Sequence, residues 1–258
     1  MNNIETPYLP SYYDRLNAKT WTAAQAVVPL VLEATGARRV VDVGCGSGVW
    51  LSVFKENGVR EILGIDGAYI DKKILHISGD EFRAADLQQP IREERQFDLA
   101  VCLEVAEHIP AQFAATLVNS LTGLAPVVLF SASIPFQGGE GHCNEQWQPY
   151  WIKLFQERGY VAIDYIRRKI WDRNDIHYWY AQNVFLYVGG NCLEDYPVLK
   201  NEYEAGFSGP VSLVHPVKYL QAVELSDLTK RSIWEILAVL PVLIKNSLAK
   251  KMGRIFKR

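Results

Sequence analysis

The segment Asp42-Val-Gly44-Cys45-Gly46-Ser-Gly48 places three glycines within five positions directly after an apolar run. Glycines at that density let the main chain turn tightly and pass close to a ligand, and a helix opening there presents its first amides to the same ligand. A dinucleotide loop spaces its glycines G-x-G-x-x-G, whereas here the third comes one position early and Val49 stands in its usual place. Asp42 adds a carboxylate beneath the loop, which repels a pyrophosphate and suits a cationic group such as an ammonium. Asp66 follows 20 residues after Gly46, a position from which a carboxylate accepts both hydroxyls of a ribose. Asp86-Leu87 closes a third short apolar segment, so three acids stand at three successive strand ends and outline one crevice.

A second group of reactive side chains lies further on. Glu104-Val-Ala-Glu107-His108 sets acids and an imidazole just beyond a fourth apolar run. A long loop after a fifth run carries Gly138, Gly139, His142, Asn144, Glu145 and Trp147. Glycines, hydrogen-bonding side chains and aromatic platforms on one loop suit a small polyhydroxylated acceptor. No ligand spacing in these residues demands a metal, so none is expected.

These groups need a scaffold that brings strand ends together. Residues 40–43 and 62–65 are apolar without alternation, as in strands covered on both faces, and residues 97–103, 127–131, 160–165 and 183–188 have the same character. A shorter strand falls near 82–85. Between them, residues 50–57, 111–124 and 148–158 repeat apolar side chains at spacings of three and four, the mark of helices. The alternation predicts an α/β doubly wound, mostly parallel seven-stranded sheet with ligands outside the carboxyl ends of its strands. Residues 167–182 are too polar and irregular for a crossover helix, which predicts an antiparallel last strand. Residues 1–36 read as an N-terminal helical lid, 37–190 as the core, and 191–258 as a loop-rich C-terminal extension ending in a basic amphipathic helix.

The ordered motifs VVDVGCGSG, LGID, ADL and FDLAVCLEVAEHI resemble those of the class I S-adenosylmethionine-dependent methyltransferases, over about residues 38–188. The resemblance implies a Rossmann-like methyltransferase core that binds S-adenosylmethionine (SAM) and releases S-adenosylhomocysteine (SAH). It implies that Gly44, Cys45, Gly46 and Gly48 line the cofactor, with Asp42 toward the methionine ammonium. Asp66 would hold the ribose, Asp86 the adenine amine, Leu87 the adenine ring, and Glu104 would lie beside the methionine moiety. Tyr13, on the lid segment, would reach the methionine carboxylate. The stretch GGEGHCNEQW also resembles the acceptor loop of methyltransferases associated with polysaccharide and glycan biosynthesis. That narrower resemblance implies His142 or His108 as the general base, Asn144 and Glu145 orienting the acceptor, and Trp147 stacking on a sugar face. The expected reaction is O-methylation of a sugar or glycan hydroxyl. Methylation of a quinone, carboxylate or other small metabolite is the alternative enzyme reading, and a cofactor-binding scaffold with little catalysis is the non-enzymatic one.

Composition narrows the partners. With 258 residues, 49% of them hydrophobic, the chain is long enough for a full core. A formal net charge of -2 and a pI near 6.2 argue against nucleic acid as the partner. Four dispersed cysteines without a CxxC pair, and a start, MNNIETPYLPSYYD, without the apolar run of a secretory signal, predict a cytoplasmic setting. Residues 233–258 interleave six basic side chains with apolar ones, which suits contact with the inner membrane face, a protein partner or a second copy of the chain.

Overall fold

The computed structural model describes residues 10–207, 209–226, 232–234, 237–241 and 244–245, with side chains described from residue 19 onward except at 225. The side chain of Tyr13 and most of the basic tail, including Lys250, Lys251 and Arg254, lie outside the described residues.

Seven strands form one sheet: β1 (Arg39–Val43), β2 (Glu61–Asp66), β3 (Phe82–Ala84), β4 (Leu99–Leu103), β5 (Val127–Ser131), β6 (Tyr160–Ile163) and β7 (Phe185–Gly189). Their order is β3-β2-β1-β4-β5-β7-β6. The first five pair in parallel, and β7 runs antiparallel to both β5 and β6. The predicted doubly wound sheet and its antiparallel last strand are both present. The chain leaves β1 for β2 on one side and reaches β4 on the other, so the ends of β1 and β4 diverge at a switch point where a crevice opens.

Each central strand sends alternate side chains to two apolar layers, because both of its faces are covered. Leu99 and Val101 of β4 join one layer with α1 (Pro10–Thr35) and α2 (Val49–Glu56); Ala100 and Cys102 join the other with α3 (Ala114–Leu124) and α4 (Gln148–Gln156). Phe130 of β5 anchors the second layer, only 1% exposed and in ring contact with Trp151, Phe155 and Tyr187. Truncating it leaves a void that three aromatic neighbours fill poorly. Phe130→Ala is therefore expected to cost about 3–5 kcal/mol in urea unfolding, with an unchanged m value.

Four expectations need revision. Residues 20–35 do not form a separate lid: Ala23, Ala24, Val27, Val28 and Val31 are buried in the first layer, at the spacing of one helical face. The compact first unit ends at His215 and a second begins at Pro216, so the boundary falls later than residue 190. The stretch expected to be loop-rich contains α7 (Pro197–Ala205), whose Leu199 is fully buried in the first layer. The irregular stretch before β7 folds as two short helices, α5 (Arg167–Ile170) and α6 (Tyr178–Asn183). The second unit carries α8 (Pro216–Ser226), with Tyr219, Leu220 and Val223 exposed. Among the described residues, no helix is long and apolar enough to cross a membrane.

Candidate active site

The glycine loop follows β1 and feeds α2, with Gly44, Gly46 and Gly48 at φ 85°, 53° and 80°. At Gly44 a side chain is excluded twice over, by the positive φ and by Val105, whose Cγ1 would stand 2.7 Å from an added Cβ. At Gly46 an added Cβ would meet nothing within 4 Å. The loop there faces the cavity, and any side chain would take up ligand space. Asp66, at the end of β2, fastens the loop: its Oδ2 accepts the Gly46 N–H at 2.7 Å, and its Oδ1 accepts the Gly67 N–H at 2.6 Å and the Tyr69 hydroxyl at 2.8 Å. Burial lifts the Asp66 carboxyl above its ordinary range, against the pull of those three donors. Asp42 is 2% exposed, and burial together with the Asp66 charge raises its carboxyl well above the usual range.

A cavity of about 290 Å³ lies over this loop. It is lined by Gly44, Cys45 and Gly46, by an aromatic wall of Trp50, Trp179 and Tyr180, and by Glu104, Glu107, His108 and His142. Trp50 meets Tyr180 edge to face at 5.4 Å, which fixes the wall. Of the predicted cofactor residues, Asp42, Gly48, Asp66, Asp86 and Leu87 do not line this cavity. Asp86 is exposed and accepts the Gln88 N–H at 2.9 Å, while Leu87 packs in the second apolar layer.

Glu104 directly follows β4 at φ 55°, a conformation glycine prefers, and its carboxylate is held from several sides. Asn183 donates to Oε1 at 3.2 Å, and Gln137 and Ser133 donate to Oε2 at 3.1 and 3.3 Å. Burial raises its pKa, opposed by donors on Ser131, Asn183 and Gln137. Glu107 is 1% exposed; Ser133 donates to its Oε1 at 2.7 Å, while Oε2 is buried without a hydrogen-bond partner. Burial, then the Glu104 charge, push Glu107 well above the ordinary carboxyl range.

Main-chain bonds bring His142 to this place. The Cys143 and Asn144 N–H groups both donate to the Glu107 carbonyl, at 2.9 and 3.0 Å, folding the loop back onto the turn that carries Glu107 and His108. The His108 and His142 rings then meet edge to face at 4.8 Å. His142 Nδ1 stands 2.9 Å from Glu145 Oε1, and Glu145 also accepts the Phe136 and Gly138 amides at 2.7 Å each. Partial burial raises the Glu145 pKa, but the His142 bond and those two amides more than offset it and hold the carboxyl below its ordinary value. Burial, then the neighbouring His142, lower the His108 pKa to about 4, so its imidazole is neutral near pH 7.

The expected acceptor contacts are placed differently. Asn144, 2% exposed, donates to the Ala106 carbonyl at 3.4 Å and accepts from Gln146 at 3.0 Å; Glu145 organises the loop, and Trp147 is 40% exposed beside α4. None of the three lines the cavity. Sequence reasoning named Glu107 without giving it a role and did not single out Gln137, Gln182, Asn183 or Trp179. Gln182, fully buried, donates to Gln137 at 2.9 Å and Asn183 at 3.1 Å, and accepts the His215 N–H at 2.9 Å. It thereby ties α6 to the loop after β5.

The ring of His177 stacks on Trp179 at 3.7 Å and 13°, and its Nε2 is buried and unpartnered. Burial, then Lys19, lower its pKa to about 4 from the ordinary 6.5. Between those values the unfolded chain takes up the proton first, so the contribution of His177 to stability is whole above pH 6.5 and lost as pH falls through 4. His177→Phe keeps a stacked ring without the titration. Its Tm is expected to fall less than the parent's between pH 6.5 and 4 in a thermal melt series.

The profile of a family described as a methyltransferase domain matches residues 17–183, from α1 through α6. Among curated relatives, a ubiquinone biosynthesis O-methyltransferase of Bordetella avium is 33% identical over 99 residues, which are 33% of this chain and 41% of that protein. One from Bordetella parapertussis is 29% identical over 133 residues, 44% of this chain and 54% of that protein. The matched segments thus span about half the length of those relatives. An amino pentose methyltransferase of Micromonospora echinaspora, solved with SAM bound, superposes with a TM-score of 0.51 at 15% identity, covering 72% of this chain and 99% of that one. At that identity the superposition speaks for the fold.

Proposed function

We propose, for a chain that belongs to the methyltransferase-domain family matched over residues 17–183, that it catalyses SAM-dependent O-methylation of a small hydroxylated acceptor, foremost an aromatic hydroxyl of the quinone-precursor type. The observation that carries this reading is the single cavity that the glycine loop and the imidazole pair both line. The chain's residues fit the cofactor: Gly46 leaves space that a Cβ would fill, and Asp66 holds the loop open by accepting its amide. When bound, SAM supplies a sulfonium-activated methyl carbon, and the electron pair of the breaking C–S bond passes to sulfur.

The protein's own residues supply position and proton transfer. Gly44, Cys45 and Gly46 seat the methionine end, and Glu104, fixed by Asn183 and Gln137, closes it. Trp50 and Trp179 offer flat apolar faces to an acceptor ring. His142, with Nδ1–H donating to Glu145, keeps Nε2 as a proton acceptor, and neutral His108 stands beside it. Asp66, Asp86 and Leu87 serve the ribose and adenine from the ends of β2 and β3, outside the cavity itself.

The quinone-type acceptor draws support from the relatives named for ubiquinone biosynthesis and from the aromatic wall. A sugar acceptor is the second reading, supported by the polar loop residues Gly138, Gly139 and Glu140 at the cavity edge. Calorimetric titration with SAM and SAH tests the cofactor, and failure of both to bind removes the proposal. A radiolabelled methyl-transfer screen of catechols, phenols, carboxylates and sugar nucleotides tests the acceptor. Labelling of sugars alone would displace the aromatic reading.

A further inference from the structure

Glu107, His108 and His142 each place one donor atom within 4.8 Å of the others, on the wall of the cavity. We infer that these three residues form a binding site for a divalent first-row transition-metal ion that receives the acceptor oxygen. The inference rests on the methyltransferase reading for its role, and on geometry alone for the ion.

Three features of the cluster point to a cation. The first is Glu107 itself: one carboxylate oxygen is bonded to Ser133, and the other is buried without any hydrogen-bond partner. An unpaired buried carboxylate oxygen is costly unless something positive completes it. The second is the anchoring of both imidazoles through one nitrogen. His142 is tied through Nδ1 to Glu145, and His108 is bonded to the Gly141 backbone, which leaves one ring nitrogen free on each. Metal-binding histidines are oriented in this way, the second nitrogen held by a carboxylate or a carbonyl. The third is the donor set. Two imidazoles and one carboxylate suit Zn²⁺, Fe²⁺, Co²⁺ or Mn²⁺ more than Mg²⁺ or Ca²⁺, which favour oxygen ligands throughout.

The site also explains the close approach of His142 to Gly139. A Cβ at Gly139 would collide with the imidazole, its Cδ2 lying 2.6 Å away, so the glycine leaves the ring the place it needs beside His108. Three protein ligands leave coordination positions open toward the cavity. A hydroxyl bound there is more acidic, so its proton leaves to water, its oxygen forms the bond to the methyl carbon, and the C–S electron pair returns to sulfur. The imidazoles then act as ligands and the ion as the activating group.

The test uses the full chain, stripped with a chelator and titrated with Mn²⁺ by loss of the free-ion EPR signal and with Co²⁺ by visible absorption. SAH binding is measured on the same samples. Saturable uptake of one ion per chain is expected, at least tenfold weaker in Glu107→Gln and His142→Ala, with SAH binding retained. Gly139→Ala, which keeps all three ligands but displaces the His142 ring, is expected to weaken uptake as well and serves if the Glu107 variant fails to fold. Absence of saturable uptake by the parent chain, or equal uptake by the parent, His142→Ala and Gly139→Ala, overturns the site. Ion binding without SAH binding would instead sink the methyltransferase reading and leave the metal site standing.

Discussion

Gly46→Leu is expected to lower SAH affinity by at least a hundredfold while the protein stays folded. The two consequences separate because of where the missing side chain would go. Gly46 sits at φ 53°, and an added Cβ meets no atom within 4 Å, so a side chain there starts in open space and runs toward the cavity. The backbone penalty for a left-handed leucine is about 1–2 kcal/mol, a modest fraction of the stability of an ordinary domain. The ligand, in contrast, loses the space over the loop entirely, and a hundredfold loss corresponds to about 2.7 kcal/mol. Gly44→Leu would confuse the two effects, because its Cβ strikes Val105 and the loop itself must move. Calorimetry with SAH beside a urea melt reads both quantities. Unchanged SAH affinity in Gly46→Leu would mean that the cofactor does not lie over this loop.

His142→Ala is expected to reduce kcat by about 10²–10⁴-fold with SAH affinity close to that of the parent. His142 lines the cavity, held in place by Glu145 and by the two amides that donate to the Glu107 carbonyl. Its loss removes the group that receives or organises the acceptor proton and leaves the glycine loop untouched. Glu145→Gln keeps the shape of the anchor and removes its charge, so a smaller loss of kcat is expected, about tenfold to a hundredfold. Steady-state kinetics against both substrates separates these outcomes. A His142→Ala enzyme with parental kcat would show that the imidazole has no part in turnover.

The parts of this fold that were legible in the sequence are those where local composition and burial agree. Residues 127–131 are fully apolar up to Ser131, and β5 occupies those positions; the run before Gly44 and the one ending at Asp66 likewise mark β1 and β2. The glycine spacing with Asp66 marked the tight turn after β1, because a positive φ and a close approach admit few other residues. The histidine-lined part of the cavity was less legible. Gln137, Gln182 and Asn183 are buried polar residues that satisfy one another across 45 residues of chain, and in sequence they resemble ordinary loop positions. Glu107 was hidden for the same reason: a lone glutamate beside His108 looks solvated until the loop at Cys143 folds over it. The spacing Glu104-x-x-Glu107-His108, with His142 on a glycine-rich loop, was the available signal. Asn144 and Glu145 do not line the cavity because the Asn144 side chain bonds the Ala106 carbonyl and the Glu145 side chain bonds its own loop, a choice made by tertiary packing and not by residue type.

The position of β7 between β5 and β6 has a consequence for biosynthesis. While the chain emerges from the ribosome, β1 to β5 gain their neighbours in the order of synthesis or shortly after, but β6 has no adjacent strand until residue 189 is made. Until then the nascent chain presents two open strand edges, on β5 and β6, of the kind that pair with other chains. The same late segment carries Gln182 and Asn183, which hold Gln137 and Glu104. Closing the sheet and fixing Gln137 and Glu104 are therefore one event, so a ribosome stalled before β7 holds a chain that is both prone to aggregate and without those contacts in the cavity.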